Sequence, residues 1–389
     1  MKKSLFYILL SVYSLFSCSE SDNKQKTIVQ DTLRSEILKL ASEQLNEVPI
    51  TVTYSIAERS AGGIHDFFSE GDYWWPDPNN PDGPYIQKDG ETNPDNFVAH
   101  RHAMVRFSMI VGNLTSAYIL TKDKKYSEAA LRHIRAWFIN EDTRMNPNLL
   151  YAQAIKGIVT GRGIGIIDTI HLIEVVQSLI KMNEAGILSD TDLTETKKWF
   201  SEYLEWISTH PYGIKEMNAT NNHGTCWAMQ AAIFAKYTGN EEMMKFCTDR
   251  FINVFIADHM AEDGSFPREI NRTKPYGYSL FNLDAMATLC HILSNHEQNL
   301  WGYTSPDGKS MKKGIDFLYP YVTDKNKWPH KHDVMYWNEW PVAQPFLLFG
   351  AINLHNDEYL NTWSRLKHFP EVDEVLRNLP IRNPVIWLD

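Results

Sequence analysis

Apolar residues recur at helical spacing along most of the chain after residue 100, and the segments they mark are closed by ordinary helix punctuation. The pattern predicts helices over 104–120, 126–138, 164–185, 190–208, 225–237, 241–258, 280–296, 311–319, 335–354 and 358–367. Gly186 and Gly239 stand where two of them should end. Strand-like alternation is scarce beyond the first hundred residues. About a dozen helices in antiparallel succession predict an all-α chain folded as an (α/α) toroid, in which inner and outer helices alternate around a central cleft. A helical solenoid is the structural competitor. No linker interrupts residues 31–389, which are expected to form a single domain.

The exception to the helical pattern is the segment from Thr53 to His100. It holds Gly62-Gly63, Tyr73-Trp74-Trp75-Pro76-Asp77-Pro78, Gly83-Pro84-Tyr85, Asp89-Gly90 and Asn93-Pro94. Long ordered loops in compact domains usually serve function. Trp74 and Trp75 beside prolines suit a sugar-stacking platform, or else they lock the loop onto the helices.

The first residues read as an export signal. Lys2-Lys3 forms a basic start, 5–16 an apolar run, and Leu15-Phe16-Ser17-Cys18 follows. The run ends like a lipoprotein processing site, so residues 1–18 are expected to be removed with Cys18 lipidated. Residues 19–30 are expected to be a flexible tether. This predicts an exported outer-membrane lipoprotein, on the surface or periplasmic side, held to the membrane through that anchor alone. No other segment looks apolar enough to span a bilayer. Ordinary secretion is the alternative.

The 389 residues carry a net charge of −10 with acidic groups spread throughout, which excludes a typical nucleic-acid binder while leaving room for a local basic cleft. Beyond Cys18 the cysteines are Cys226, Cys247 and Cys290, all in apolar helical patterns and expected to be buried free thiols.

Two stretches carry candidate chemistry. Asn221-Asn222-His223-Gly224-Thr225 sets an amide and an imidazole at the start of a helix. About fifty residues later, Arg272-Thr273-Lys274-Pro275-Tyr276-Gly277-Tyr278 adds a guanidinium and two phenols. Such groups suit removal of a proton from the carbon beside a sugar carboxylate. Asn222, His223 and Arg272 neutralise the carboxylate, and a tyrosine moves the proton. Arg272 is expected to lower the tyrosine pKa. The plainer reading is a loop-to-helix junction with Asn221 as cap. Arg162, between two glycines, either lines the cleft or pairs with Asp168. His100 and His102 flank Arg101 at another junction where either can touch substrate. His330, His332 and Asp333 hint at a metal site, but no further ligands stand at metal spacing, and neither metal nor cofactor is expected.

Taken in order, Tyr73-Trp74-Trp75-Pro76-Asp77-Pro78, Asp89-Gly90…Asn93-Pro94, Gly161-Arg162-Gly163…Ile167-Asp168-Thr169, Asn221-Asn222-His223-Gly224-Thr225 and Tyr336-Trp337-Asn338-Glu339-Trp340-Pro341 resemble the alginate-lyase-domain superfamily. That superfamily includes polysaccharide lyase family 5 and the related family 38, and the lipoprotein-like start makes family 38 the closer match. The resemblance covers nearly the whole mature chain. It implies an incomplete (α/α)6 or (α/α)7 barrel with a long N-terminal active-site loop. It also implies metal-independent β-elimination of an anionic uronic-acid polymer, most simply alginate, leaving 4,5-unsaturated ends. Asn222 and His223 match the pair that faces the substrate carboxylate. Arg272 matches the arginine ahead of the catalytic tyrosine, and Tyr278 that tyrosine. The Pro275-Tyr276-Gly277 departure leaves Tyr276 as a rival. Trp74, Trp75, Arg162, His100, His102, Tyr276 and Trp340 are the candidate substrate contacts.

For mannuronate the C5 hydrogen and O4 leave from one side, so one tyrosine suffices. For guluronate or glucuronate they are expected to leave from opposite sides, which suits His223 as base and Tyr278 as acid. The competing functions are a glucuronan or mixed-specificity lyase, a toroid glycoside hydrolase using carboxylates among Asp263, Glu269 and Glu339, and a non-catalytic glycan-binding lipoprotein.

Overall fold

A computed structural model describes residues 24–295 and 297–388. The expected signal peptide and Cys18 lie outside these residues. Residues 24–30, expected to belong to a tether, are already helical. They open α1 over residues 24–44, whose Val29, Leu33, Ile37 and Ala41 face the core at helical spacing.

The elements that follow are α2 (Ala99–Thr121), α3 (Lys124–Phe138), α4 (Leu172–Glu184), α5 (Asp190–Thr209), α6 (Pro211–Met217), α7 (Asn222–Thr238), α8 (Glu241–Arg250), α9 (Pro267–Ile270), α10 (Pro275–Leu293), α11 (Met311–Thr323), α12 (Pro345–Leu354), α13 (Asp357–Trp363) and α14 (Asp373–Arg377). Helices α2, α4, α7, α10 and α12 succeed one another around the inner wall, each packed on the next. They are apolar almost all round, as elements covered on every side must be. Nearly every residue of α7 and α10 is buried. Helices α3, α5, α8, α11 and α13 lie outside and keep polar faces to water. The chain is therefore an all-α toroid. Helix α1 lies between its two ends: Gln25 Nε2 donates to Ala351 O of α12 at 3.3 Å, and Asn113 Nδ2 of α2 donates to Gln44 Oε1 at 3.2 Å.

By length and composition α2 is apolar enough to cross a membrane, contrary to the expectation that no segment beyond the leader is. It is instead an inner-wall helix buried in the core. Two long helices expected from pattern alone are broken. Residues 163–169 form a tight 3-10 turn ahead of α4, and 335–344 are largely irregular, since Pro341 and Pro345 deny the backbone two donors. After α8 the helix widens to π geometry over Phe251–His259.

The loop between α1 and α2 carries three short strands, β1 (Phe68–Glu70), β2 (Trp74–Trp75) and β3 (Ile86–Gln87). Strand β1 pairs in parallel with β4 (Tyr151–Ala154), and β2 pairs antiparallel with β3. These two ladders press the loop onto the mouth of the toroid. Cys226, Cys247 and Cys290 are buried free thiols.

Candidate active site

Helices α7 and α10 pack side by side, and both begin at one narrow cleft of about 90 Å³. Its wall includes Asn222 and His223 from the first turn of α7 and Tyr278 from the first turn of α10. Arg272 comes from the preceding turn, Tyr73 and Trp74 from the loop, and Arg162 from the strand β4 side. Two segments fifty residues apart in sequence thus meet because their helices are neighbours in the inner wall.

Local sequence explains each start. Asn221 caps α7 by accepting from His223 N at 3.4 Å. Pro275 occupies the first position of α10, where a missing N–H costs nothing. Asp333 accepts from Tyr276 N and Gly277 N, both at 2.8 Å, and so caps α10 from a distant loop. This use, with His332 stacked 4.0 Å from Trp337 and His330 edge-on to Trp328, removes the suggested His330–His332–Asp333 metal site. Burial pushes the Asp333 carboxyl up to about 6.

Behind the amide and imidazole stand two buried carboxylates. Glu269 accepts from Asn222 N at 2.6 Å and from Asn222 Nδ2 at 2.8 Å. Burial raises its pKa against the pull of those two bonds. Glu216 Oε1 lies 2.6 Å from His223 Nδ1. That contact fixes the ring and leaves Nε2 as its open nitrogen, the arrangement of a general base.

The other wall is phenolic and cationic. Tyr278 Oη lies 2.9 Å from Tyr73 Oη. The Arg272 guanidinium sits 4.6 Å from the Tyr278 ring centroid. The Tyr278 pKa is nonetheless pushed well above the usual tyrosine value. Burial dominates, and Arg272 and Lys274 offset it only in part. Arg272 thus pulls the Tyr278 pKa down as expected, but burial outweighs that pull in the resting site. Arg272 is also already engaged, with Nη2 at 2.8 Å from Asp89 Oδ1. Arg162 differs. Its Nε donates to Gln153 O at 2.8 Å and Nη2 to Gln153 Oε1 at 3.1 Å, both neutral partners, and burial lowers its pKa to about 10. It lines the cleft and is held by Gln153, not by Asp168. The glycines beside it permit this approach: a Cβ at Gly161 would stand 1.9 Å from Leu150 O, and one at Gly163 2.6 Å from Tyr212 O.

Several expected contacts are placed elsewhere. Tyr276 is fully buried, donates to Tyr321 O at 3.0 Å and packs on Trp328 and Trp337, because it points from α10 into the core. His100 is buried between Phe68 N at 3.0 Å and Ser55 O at 2.8 Å, where it ties the loop down. Trp340 is buried against Gly277. Trp75 donates to Glu91 O at 3.0 Å and supports the loop, while its neighbour Trp74 lines the cleft. His102 is exposed in a second cavity, 3.6 Å from Asp373. Of the carboxylates a hydrolase would need, Asp263 and Glu339 are exposed and outside the cleft wall, and Glu269 is bound to Asn222. Sequence reasoning did not single out Tyr73, Glu216 or Lys274 as site residues. Tyr73 stood beside Trp74, and Glu216 lies seven residues before His223 across the junction between α6 and α7, but nothing local marks the carboxylate as its partner.

The alginate lyase family model matches residues 51–328. The crystal structure of an alginate lyase from Bacteroides ovatus superposes with a TM-score of 0.80 at 30% identity, covering 95% of this chain and 97% of that one. Alginate lyase A1-III from Sphingomonas species A1 shares the fold, with a TM-score of 0.55 at 12% identity over 84% of this chain and 89% of that one. A variant of A1-III complexed with tetrasaccharide gives 0.57 at 13%, over 87% and 88%. A search of curated proteins gave no match. With the family model matching most of its length and a solved relative aligned end to end, this chain belongs to the alginate lyase family and is a polysaccharide lyase.

Proposed function

We propose that the chain cleaves alginate by metal-independent β-elimination, with His223 and Tyr278 on opposite sides of the scissile bond. The observation that carries this reading is the pairing, across one cleft, of an imidazole backed by a carboxylate and a phenol backed by cations. The substrate of the Bacteroides ovatus relative, named as an alginate lyase, supports the choice of polymer.

The C5 proton is weakly acidic until the C6 carboxylate is neutralised. Arg162 is suited to that task, because among the described residues its guanidinium donates only to the neutral Gln153. Asn222 has a second Nδ2 hydrogen beyond the one given to Glu269, and the positive end of α7 adds to the field. Arg272 contributes once its pair with Asp89 yields to substrate. On guluronate, His223 Nε2 takes the C5 proton and the electron pair forms the C4–C5 double bond. The C4–O4 bond breaks and Tyr278 protonates O4. A phenol with a raised pKa is protonated at rest and suits that acid role. On mannuronate, Tyr278 first gives its own proton to solvent, then takes the C5 proton as the C4–C5 double bond forms, and passes that proton to O4 as the C4–O4 bond breaks. Glucuronate differs from mannuronate only at C2, so its C5 hydrogen and O4 share a side and it follows the mannuronate route, contrary to the expectation that groups it with guluronate. The exported-lipoprotein expectation from the leader remains part of this proposal: an extracellular polymer needs an exported enzyme.

Incubation with polymannuronate, polyguluronate and glucuronan tests the reading. Ultraviolet absorbance of the unsaturated uronate should rise with chain cleavage on an alginate block. New reducing ends without that absorbance would identify a hydrolase. Exhaustive chelation should leave the rate unchanged, and loss restored by a divalent cation would overturn the metal-free scheme.

A further inference from the structure

A line of side chains runs from Tyr278 out of the cleft. Tyr73 Oη lies 2.9 Å from Tyr278 Oη, and Lys274 Nζ donates to Tyr73 Oη at 2.9 Å. Lys274 also pairs with the Glu374 carboxylate, and the two are 3% and 6% exposed. Glu374 lines a second cavity of about 550 Å³, which shares Asp72 and Arg377 with the cleft but contains neither phenol in its wall.

The direction of these hydrogen bonds follows from the groups present. An ammonium only donates, so Tyr73 Oη accepts from Lys274. A hydroxyl polarised in this way is a better donor, so its single hydrogen goes to Tyr278 Oη. The hydrogen of Tyr278 is then left for the cleft. With the polarity reversed, Tyr278 would point its hydrogen at Tyr73 and have none to offer O4.

We propose that Lys274, anchored by Glu374, is the positioning residue that orients the Tyr73–Tyr278 pair toward substrate and returns a proton to Tyr278 from the second cavity after each turnover. This rests on the reading of Tyr278 as the acid for O4. As Tyr278 gives its proton to O4, the Tyr73 hydrogen passes to the Tyr278 oxygen and a Lys274 hydrogen passes to Tyr73. The lysine amine regains one from water in the second cavity by way of Glu374. The proton taken from C5 by His223 is released to solvent with the product, so the enzyme returns to its starting charge. Each transfer within the protein joins groups already in contact, and an occupied cleft does not block the route. The charged groups facing this line are Arg272 with Asp89, Arg377 with Asp72, and Asp333 at the start of α10. All of them remain in the variants below.

Removing Lys274 alone strands a buried carboxylate, so the double change Lys274→Met/Glu374→Gln, which removes both charges together, accompanies Lys274→Met. Two readouts are taken. The first is turnover: kcat should fall about 10²-fold with KM within about 3-fold of wild type, and ethylammonium should restore rate to the truncated variant Lys274→Ala by occupying the space its shorter side chain leaves. The second needs no substrate. With 3,5-difluorotyrosine at position 278, fluorine NMR follows the phenol titration, which should move to higher pH in both variants. A folded variant with unchanged titration, or a kcat loss that amines do not restore, overturns the proposal. Wild-type protein inert on every uronate polymer would instead refute the lyase chemistry itself, and the titration would still decide the role of Lys274.

Discussion

The two walls of the cleft are built on opposite charges. On one side, carboxylates stand directly behind the polar groups, with Glu216 on His223 and Glu269 on Asn222. On the other, cations make the contact. Arg272 lies over Tyr278, and Lys274 donates to Tyr73, while their acidic partners Asp89 and Glu374 stand further out. A carboxylate behind an imidazole strengthens it as a proton acceptor. A cation behind a phenol stabilises the oxyanion left when a proton departs. In the proposed route on guluronate, this difference gives proton removal to the α7 wall and proton delivery to the α10 wall, a division that neither motif suggests by itself.

Disabling the delivering wall should have the largest effect. Tyr278→Phe is expected to lower kcat by about 10³-fold or more with the fold intact, measured on whichever alginate block the wild type cleaves faster. Tyr276→Phe is its control. The lost bond to Tyr321 O should cost about 1 kcal/mol of stability, with turnover near wild type. A reversal of these two results would move the proton to Tyr276. On the removing wall, Glu216→Gln keeps the shape but takes away the charge that holds the His223 ring. A loss of about 10²-fold on polyguluronate is expected, and an unchanged rate would make Glu216 a purely structural acid. Arg162→Met should raise KM about 10-fold, with a smaller change in kcat if the guanidinium mainly binds substrate. An unchanged KM would return carboxylate binding to Arg272.

The smallest effect concerns stability. Asp333 is a buried carboxyl whose folded pKa of about 6 exceeds the ordinary aspartate value of about 3.9. Its contribution is therefore fully present below the unfolded value and is lost as pH rises toward 6. Urea unfolding should show wild type losing on the order of 2 kcal/mol relative to Asp333→Asn between pH 4 and pH 6. A flat difference would mean that the bonds to Tyr276 N and Gly277 N fully offset its burial.

The inner and outer helices were legible because their apolar spacing and caps are local properties. Asn222, His223, Arg272 and Tyr278 were legible as a set because each pair is close in sequence. The partners that give the two walls opposite character were not. Glu374 meets Lys274 across one hundred residues, and Tyr73 meets Tyr278 across more than two hundred. Such pairings depend on which helices become neighbours. Tyr276 and His100 misled for a related reason. A polar aromatic beside a functional residue reads the same whether its helix turns it toward the cleft or the core, and one position on a helix rotates a side chain by about 100°. The pattern also overran at 335–344, where Pro341 and, just beyond, Pro345 outweigh apolar spacing, and stopped short at 24–30, where sparse apolar residues still find a core stripe.

The division between the walls is tested most directly by comparing His223→Ala on pure polyguluronate and pure polymannuronate. Where the C5 hydrogen and O4 lie on opposite sides, both walls must act. Where they share a side, Tyr278 acts without His223, which then only assists at the carboxylate. The account predicts that the loss of kcat/KM on polyguluronate exceeds that on polymannuronate by about 10-fold or more. An equal loss on both polymers would contradict it and would leave His223 as a neutraliser of the substrate carboxylate alone.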